Sequence, residues 1–276
     1  MDITYIGSGS AEGIPSPFCT CELCQKARKL GGKDRRHRHG WCVDKTVLID
    51  FAPDITVTAP LRGVSLPDVT DILISHSHHD HFAVAELFLR DPVEYCQNDR
   101  TCLHLYGNDG VKKKLQAYGE FSHGWPEFLH FTEVSHRQSI TTQNGITATF
   151  LPSRHAPSEH AGMWLLEKDG KRVLYGHDTG LFPEDTLAFL SGKPLDLVSL
   201  DTNYALRETA PECGHLGLPG VLKTLKSLKE IGAVTENTKQ IASHITHFGG
   251  TTHEELVKAC EPYSIEVAFD GMTVHI

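Results

Sequence analysis

Long apolar segments are missing from this chain of 276 residues, and so are repeats and low-complexity stretches. A helix that crosses a bilayer needs about 20 mostly apolar residues in a row, so a membrane-spanning protein is not expected. The first residues, Met1-Asp2-Ile3-Thr4, also lack the basic region and the apolar stretch of a secretion signal. We therefore expect a cytoplasmic protein that acts away from membranes.

Positive charge is also scarce. The chain has 26 Lys and Arg against 35 Asp and Glu, which gives a formal net charge of −9. A surface of this sign disfavours nonspecific binding to nucleic acid, although bound metal cations would reverse the sign locally. The basic segment from Lys33 to His39 is interpreted as a solvated face. We expect no nucleic-acid partner.

Two common nucleotide-binding motifs are absent. The loop Gly7 to Gly13 follows the strand-like run Ile3 to Ile6. It lacks the Lys-Ser/Thr ending of a phosphate-binding P-loop and the strand-helix spacing of a dinucleotide fingerprint. We interpret it as a flexible loop in which several residues need positive φ.

Strand-like runs alternate with segments of helical periodicity along the chain. The predicted strands cover Ile3 to Ile6, Thr46 to Phe51, Asp71 to Ser75, Leu103 to Tyr106, Ile146 to Leu151, Met163 to Glu167, Arg172 to Tyr175, Leu195 to Leu200, Gln240 to Ser243 and Ser264 to Phe269. The predicted helices cover Ala83 to Arg90, Gly110 to Tyr118, Pro183 to Leu190, Leu218 to Ile231 and Thr252 to Cys260. This order favours an α/β protein with two packed sheets and helices outside, a four-layer αβ/βα sandwich.

No linker interrupts the pattern, so we expect residues 1–276 to form one domain with a cysteine-containing N-terminal loop. The segment from Tyr95 to Arg137 is the least patterned. We therefore treat about 95–137 as a candidate insertion over the functional site.

A dense cluster of metal-binding residue types follows the apolar run Thr70 to Ile74. His76, His78, Asp80 and His81 have the spacing H-x-H-x-D-H. Imidazole and carboxylate groups are good ligands for zinc, manganese or iron. Since four side chains packed this closely can hardly reach a single ion, we expect His76 and His78 to face one ion and Asp80 and His81 to face a second. A solvated histidine-rich loop is the alternative.

Three further residues, His155, Asp178 and His244, also follow strand-like runs. Each one alone could cap a helix or bond to the backbone. Together with the first cluster they predict a two-metal hydrolytic site, in which ions roughly 3.5 to 4 Å apart hold a bridging hydroxide. The seven ligands divide into His76, His78 and His155 on one ion, Asp80, His81 and His244 on the other, and Asp178 as the bridge between both.

Three of the eight cysteines, Cys19, Cys21 and Cys24, lie within six residues of one another. In a reducing cytosol, thiols at such short spacing indicate metal binding. They supply three corners of a tetrahedral zinc site whose fourth ligand comes from elsewhere in the chain. Three free thiols in a loop are the alternative. We assign no role to the five scattered cysteines.

The H-x-H-x-D-H motif is the hallmark of the metallo-β-lactamase superfamily, which the chain resembles over nearly its whole length. Within it, the sequence is similar to the phosphoribosyl cyclic phosphodiesterases of the bacterial phosphonate-degradation (carbon-phosphorus lyase) pathway. The matching segments are Gly7 to Pro15, the Cys19/Cys21/Cys24 cluster with Ala27-Arg28, Asp178-Thr179, Ser243 to His247, and Phe269 to Met272. The stretches Ala156 to His160 and Asn203 to Thr209 depart from that subgroup, and we expect both to line the pocket.

This resemblance implies a structural zinc held by Cys19, Cys21, Cys24 and His247. It also implies a catalytic role for His215, just before the helix from Leu218, in donating a proton to the leaving alkoxide or binding the phosphate. The expected catalytic residues are thus His215 and the ligand Asp80.

The predicted function is hydrolysis of a small cyclic phosphodiester, similar to phosphoribosyl 1,2-cyclic phosphate, by the metal-bridging hydroxide. A thioester or lactone hydrolase using the same hydroxide is one alternative, and a non-catalytic metal-binding protein is another. An oxygen or nitric-oxide reductase would need a flavin-binding extension, for which 276 residues leave no room.

The expected cofactors are two divalent ions in the active site, Mn²⁺ or Zn²⁺, and one structural Zn²⁺. Nitrogen and oxygen donors also accept nickel or iron, so the ligands alone do not select the metal. The expected partner is a small phosphorylated substrate, and a homodimer is compatible with the sequence.

Overall fold

The structure is a computed structural model. It describes residues 1–92, 94–97, 102–121, 127–210 and 212–276, except for the side chains of 119–121. The strands are β1 Asp2–Gly7, β2 Gly40–Val43, β3 Val47–Ile49, β4 Asp71–Leu73, β5 Leu103–Gly107, β6 Leu129–Glu133, β7 Ser139–Thr141, β8 Thr147–Pro152, β9 Gly162–Lys168, β10 Lys171–Gly176, β11 Leu197–Asp201, β12 Lys239–Ser243, β13 Ile265–Val267 and β14 Thr273–His275. The helices are α1 Glu22–Leu30, α2 Ile55–Leu61, α3 Val84–Phe88, α4 Asp109–Phe121, α5 Glu184–Leu190, α6 Leu218–Glu230 and α7 His253–Cys260.

Within the described ranges the strands form two seven-stranded sheets. The first sheet has the order β14-β1-β2-β3-β4-β5-β6, and the second has the order β13-β12-β11-β10-β9-β8-β7. Each sheet is built from one half of the chain, apart from β14. That last strand returns from the second half and pairs antiparallel with β1.

Alternation along the strands separates the core into layers, because successive side chains of a strand point to opposite faces. In β3, Val47 and Ile49 face the space between the sheets, whereas Leu48 packs with the outer helices α2, α3 and α4. In β10 of the other sheet, Tyr175 enters the same central space, and Leu174 joins the outer layer with α1, α5, α6 and α7. The predicted four-layer αβ/βα sandwich is therefore confirmed.

All ten predicted strands and all five predicted helices overlap elements of the structure. The sequence pattern missed two helices, α1 and α2, and four strands, β2, β6, β7 and β14. The predicted insertion at about 95–137 falls partly outside the described residues. Its described part includes β5 and β6, which end the first sheet, and α4 between them. The insertion and the single-domain organisation stay predictions.

No helix among the described residues is both long enough and apolar enough to cross a membrane.

Candidate metal centre

The predicted ligands meet at one edge of the sandwich because of strand direction. β3 and β4 are parallel to each other, and so are β10, β11 and β12, so their carboxyl ends lie at a common edge of each sheet. Polar residues sit at these ends: Asp50 follows β3, His76 follows β4, Asp178 follows β10, Asp201 ends β11 and His244 follows β12. A rigid scaffold thus holds the side chains of separate loops together.

Three histidines form the first group of candidate ligands. One nitrogen each of His76, His78 and His155 lies within 4.8 Å of the other two. Nε2 of His155 is 3.2 Å from Nδ1 of His78. Nitrogens bound about 2.0 Å from a shared tetrahedral ion lie at about this distance from each other. The structure therefore brings the first predicted ligand set together.

Asp80, His81 and His244 form the second group, and their ligand atoms also lie within 4.8 Å of one another. Asp178 stands between the two groups. Its Oδ2 is 3.1 Å from His81 Nε2 and 3.3 Å from His244 Nε2, whereas its Oδ1 is 3.7 Å from His155 Nε2. Its two oxygens face different groups, as a bridging carboxylate requires.

Four atoms in this cluster are buried and form no hydrogen bond with a described residue, namely Nε2 of His76, His81 and His244 and Oδ2 of Asp178. His81 Nε2 does lie within ion-pair distance of Asp80 and Asp178, at 2.9 and 3.1 Å. Leaving such an atom unsatisfied costs about 1–3 kcal/mol. Divalent cations at the two ligand groups would satisfy all four. The residues present therefore fit the metal ions that the sequence resemblance implies, and binding by these particular residues stays a prediction.

In His76, His81 and His155 the other ring nitrogen is already engaged, which fixes the free one. Nδ1 of His81 donates to Asp50 at 2.7 Å. The Ser75 hydroxyl donates to Asp50 at 3.0 Å and so accepts from Nδ1 of His76, also at 3.0 Å. Nδ1 of His155 donates to a backbone carbonyl at 3.2 Å. These bonds hold the rings with Nε2 lone pairs directed into the cluster.

Carboxylates concentrate negative charge in the site. Burial disfavours the charged form of His81, but Asp178, Asp80 and Asp50 raise its pKa well above the ordinary value. Burial likewise opposes ionisation of Asp178, yet His244 and His81 hold its pKa well below the usual range. A field that favours a proton on His81 would also favour a metal cation at the same place, and such a cation would replace the proton.

Three residues of this edge have left-handed backbones although none is glycine. The φ angles are 63° at Asp50, 50° at Asp178 and 61° at His244. Such conformations cost about 1–3 kcal/mol each and cluster at functional sites. Neighbouring groups stabilise this backbone, since the N–H of Asp178 donates to the Asp201 carboxylate at 3.1 Å.

Asp201 and His215 form a pair beside the second ligand group. Nδ1 of His215 donates to Asp201 at 2.9 Å, and Nδ1 of His244 lies 3.2 Å from the same oxygen. Backbone N–H groups, among them that of Leu216, also donate to Asp201, so its lone pairs are used and it orients its neighbours. Burial works against the charged form of His215, but Asp201 raises its pKa to about 9.

An open pocket of about 650 Å³ lies over the first ligand group and reaches His215. Its wall includes the stretch Ala156 to His160, as expected from the sequence. The stretch Asn203 to Thr209 was also expected to line the pocket, but it does not. Glu212 and Gly214, further along the same loop, line it instead. The side chain of Asn203 lies next to a candidate ligand instead, with its amide nitrogen 3.2 Å from Nδ1 of His244.

The cysteine cluster forms a second candidate metal site. The sulfurs of Cys19, Cys21 and Cys24 and Nδ1 of His247 all lie within 4.8 Å of one another. Cys19 and Cys21 are each 3.5 Å from that nitrogen. A tetrahedral zinc with Zn–S of about 2.3 Å and Zn–N of about 2.0 Å places sulfur and nitrogen about 3.5 Å apart. The implied four-ligand set is thus assembled here, and its zinc stays a prediction.

The sequence interpretation missed the residues that hold the ligands in place, chiefly Asp50, Ser75 and Asp201. A signal for two of them was present: Asp50 and Asp201 stand at the ends of strand-like runs, as Asp178 does. Ser75 also ends a strand-like run, but serine is not among the usual metal ligands, and its contribution depends on Asp50 from another strand.

A family model for the beta-lactamase superfamily domain matches residues 45–259. With this match, the fold and the ligand cluster define a metal-dependent hydrolase with the metallo-β-lactamase fold. The chain belongs to the beta-lactamase superfamily, which confirms the family resemblance predicted from the sequence.

Solved structures with this fold include a diphosphatase from the PhnP family, with 24% identity and a TM-score of 0.76 over 100% of this chain and 97% of that one. Zinc-bound PqqB from Methylobacterium extorquens has 17% identity and a TM-score of 0.77 over 100% of both chains. Human tRNase Z, short form, has 15% identity and a TM-score of 0.65 over 100% of this chain and 99% of that one. At identities this low, the structural likeness shows that the fold is shared.

An octanoyltransferase of Porphyromonas gingivalis is 31% identical over 85 residues. The match covers 29% of this chain and 16% of that protein, so the chain spans a small part of this relative.

Proposed function

We propose that this protein is a phosphodiesterase that opens a small cyclic phosphate similar to phosphoribosyl 1,2-cyclic phosphate. The observation that carries the proposal is the position of Asp178, whose two oxygens face two separate ligand groups at 3.1 to 3.7 Å. A centre of this kind suits two divalent ions, Mn²⁺ or Zn²⁺. When bound, such ions lower the pKa of water and stabilise charge on the oxygens of an in-line displacement.

The ligand residues differ in their burial, which shows the side from which the centre can be reached. His76, His81 and His244 are almost fully buried, whereas His78 and His155 border the pocket. A substrate phosphate therefore enters from the side of His78 and His155. Glu159 stiffens this entrance, because its carboxylate accepts hydrogen bonds from the backbone N–H and the hydroxyl of Ser77.

We assign His215 to the leaving oxygen. Its Nδ1 is committed to Asp201, and its ring lines the pocket beside His155, with ring centroids 4.8 Å apart. Nε2 then holds the proton that passes to the leaving alkoxide, or it binds a phosphate oxygen. The sequence likeness to cyclic phosphodiesterases and the structural likeness to a PhnP-family diphosphatase support phosphorus as the centre attacked.

The proposal is tested with one panel of substrates on metal-loaded protein. We expect hydrolysis of bis-p-nitrophenyl phosphate and of sugar cyclic phosphates, with little or no turnover of thioesters and lactones. Asp80→Ala and His78→Ala should abolish the phosphodiesterase activity and leave the circular dichroism spectrum unchanged. Efficient turnover of thioesters or lactones instead, or full phosphodiesterase turnover in either variant, would overturn the proposal.

A further inference from the structure

Arg154, directly before His155, has a fixed backbone and a free side chain. Its N–H donates to the Thr179 hydroxyl at 2.9 Å, and its carbonyl accepts from the N–H of Gly180 at 3.2 Å. Both bonds join Arg154 to the loop that begins at Asp178. These two bonds therefore fix the start of the side chain next to the candidate ligand His155.

Gly180 allows two loops to approach each other closely beside this arginine. A Cβ at Gly180 would lie 2.3 Å from the carbonyl oxygen of Cys213 and 3.7 Å from Cδ of Arg154. The stem thus runs where the loop after Asp178 meets the loop that carries His215. From there the guanidinium borders the same pocket as His155 and His215.

The guanidinium of Arg154 is exposed and forms no hydrogen bond or ion pair with any residue that the structure describes. It is the one Lys or Arg among the described residues that line the pocket. Nearby cations are committed elsewhere: Lys114 donates to the carbonyls of Ser77 and Phe82, and Arg137 pairs with Asp185 at 2.9 Å. Arg154 is therefore available to a bound ligand.

We propose that Arg154 binds a second phosphate group of the substrate, separate from the cyclic phosphate that is opened. This inference rests on the proposed phosphodiesterase function and assigns to Arg154 the recognition of the second phosphate that a phosphoribosyl substrate carries. The planar guanidinium matches a phosphate with two parallel hydrogen bonds. A pocket of about 650 Å³ is of the size that holds a whole small molecule, so a sugar with a second substituent fits beside the reacting group.

The experiment compares ribose 1,2-cyclic phosphate with and without a 5-phosphate on metal-loaded protein. The wild type should favour the 5-phosphorylated substrate in kcat/KM by roughly 10- to 100-fold, the range for a hydrogen-bonded charge pair. Arg154→Gln should remove this preference through KM and leave the turnover of the unphosphorylated substrate unchanged. Arg154→Lys should restore part of it. The matched control is Arg137→Gln, an exposed arginine whose partner is Asp185.

An unchanged preference in Arg154→Gln, or an equal loss on both substrates, would overturn the inference. If neither compound is hydrolysed, the proposed function fails, and the same pair is then titrated into the metal-loaded protein by calorimetry. A tighter Kd for the 5-phosphorylated compound that is lost in Arg154→Gln supports the anion site on its own. Equal Kd values in the two proteins reject it.

Discussion

Among single residues, Asp178 has the most demanding position. Its backbone is left-handed, its carboxylate is buried, and one of its oxygens has no hydrogen-bond partner among the described residues. Each feature alone destabilises the folded chain. All three features are explained if the carboxylate binds two cations, because the free energy of metal binding then compensates for the cost of burial and of backbone strain.

The first prediction concerns this carboxylate. Asp178→Asn keeps the size of the side chain and removes its charge, so the protein should hold fewer ions in the active site. Loss of a partner of a ligand already costs 10- to 100-fold in activity, so removal of a bridging ligand should cost more than about 100-fold. Metal analysis and phosphodiesterase assays measure both effects. Asp185→Asn, at an exposed ion pair, is the control.

His215 allows a sharper test, because its proposed role depends on the leaving group. His215→Asn should slow hydrolysis of an alkyl phosphodiester by about 10²- to 10⁴-fold, since an alkoxide needs a proton as it leaves. Hydrolysis of bis-p-nitrophenyl phosphate should slow far less, because p-nitrophenolate leaves without one. An equal loss on both substrates would assign His215 to phosphate binding rather than proton transfer.

Among the elements, a buried chain of polar side chains connects the two sheets beneath the ligands. The Tyr175 hydroxyl of β10 donates to Asp50 after β3 at 2.6 Å. His39, before β2, lies 3.0 Å from Tyr175 and 3.0 Å from the hydroxyl of Ser243 in β12. Since Tyr175 donates to Asp50, it accepts from His39. The chain thus ends on the carboxylate that holds His81.

Breaking this chain should loosen the metal centre. Tyr175→Phe keeps the packed ring but removes one donor to Asp50, so the affinity for active-site metal should fall by about 10- to 100-fold. Competition with a chelator measures the affinity directly. Tyr106→Phe is matched, because Tyr106 is also a buried tyrosine that donates to an aspartate, Asp71, outside the cluster. Equal chelator sensitivity in the two variants would contradict the proposed role.

The elements that sequence patterns missed have identifiable reasons. α2 contains Ile55, Val57 and two threonines, which favour strands, and Pro60, which disfavours a helix interior. α1 begins within the cysteine cluster and contains Cys24, so its first residues have the pattern of a metal-binding loop. β14 has three residues and depends on pairing with β1 at the other end of the chain, which no local pattern records.

At the scale of the whole molecule, the cysteine cluster ties the N-terminal loop to the loop after β12. His247 lies three residues beyond His244, so one loop serves both candidate metal sites. Arg28 reinforces the connection by donating to the carbonyls of Ser16 and Cys19 at 2.9 and 2.8 Å. Zinc at this cluster would therefore support the wall of the active site.

Cys24→Ser should remove one zinc per chain and lower the melting temperature, because structural zinc contributes directly to folding free energy. Each kcal/mol lost lowers Tm by roughly 2–4 °C in a chain of this size. Zinc analysis with thermal unfolding provides the measurement. Cys96→Ser, outside the cluster, should leave both quantities unchanged. An unchanged Tm together with an unchanged zinc content in Cys24→Ser would contradict a structural zinc that depends on Cys24.

The sandwich and the seven candidate ligands were predictable, because strand-like runs and metal-binding residue types are local features of a sequence. His76, His78, Asp80 and His81 even lie within six residues. Their supporting residues were not predictable in the same way. Asp50 reaches His81, and His39 reaches Ser243, only after the sheets have packed.

The most direct test is a titration of Mn²⁺ into protein that keeps zinc in its cysteine cluster but has been stripped of active-site metal. Bound manganese and the hydrolysis of bis-p-nitrophenyl phosphate are measured on the same samples. We predict that the rate rises as the second manganese ion binds and reaches its maximum at two ions per chain. A full rate at one ion per chain, or without manganese, would contradict a two-metal phosphodiesterase.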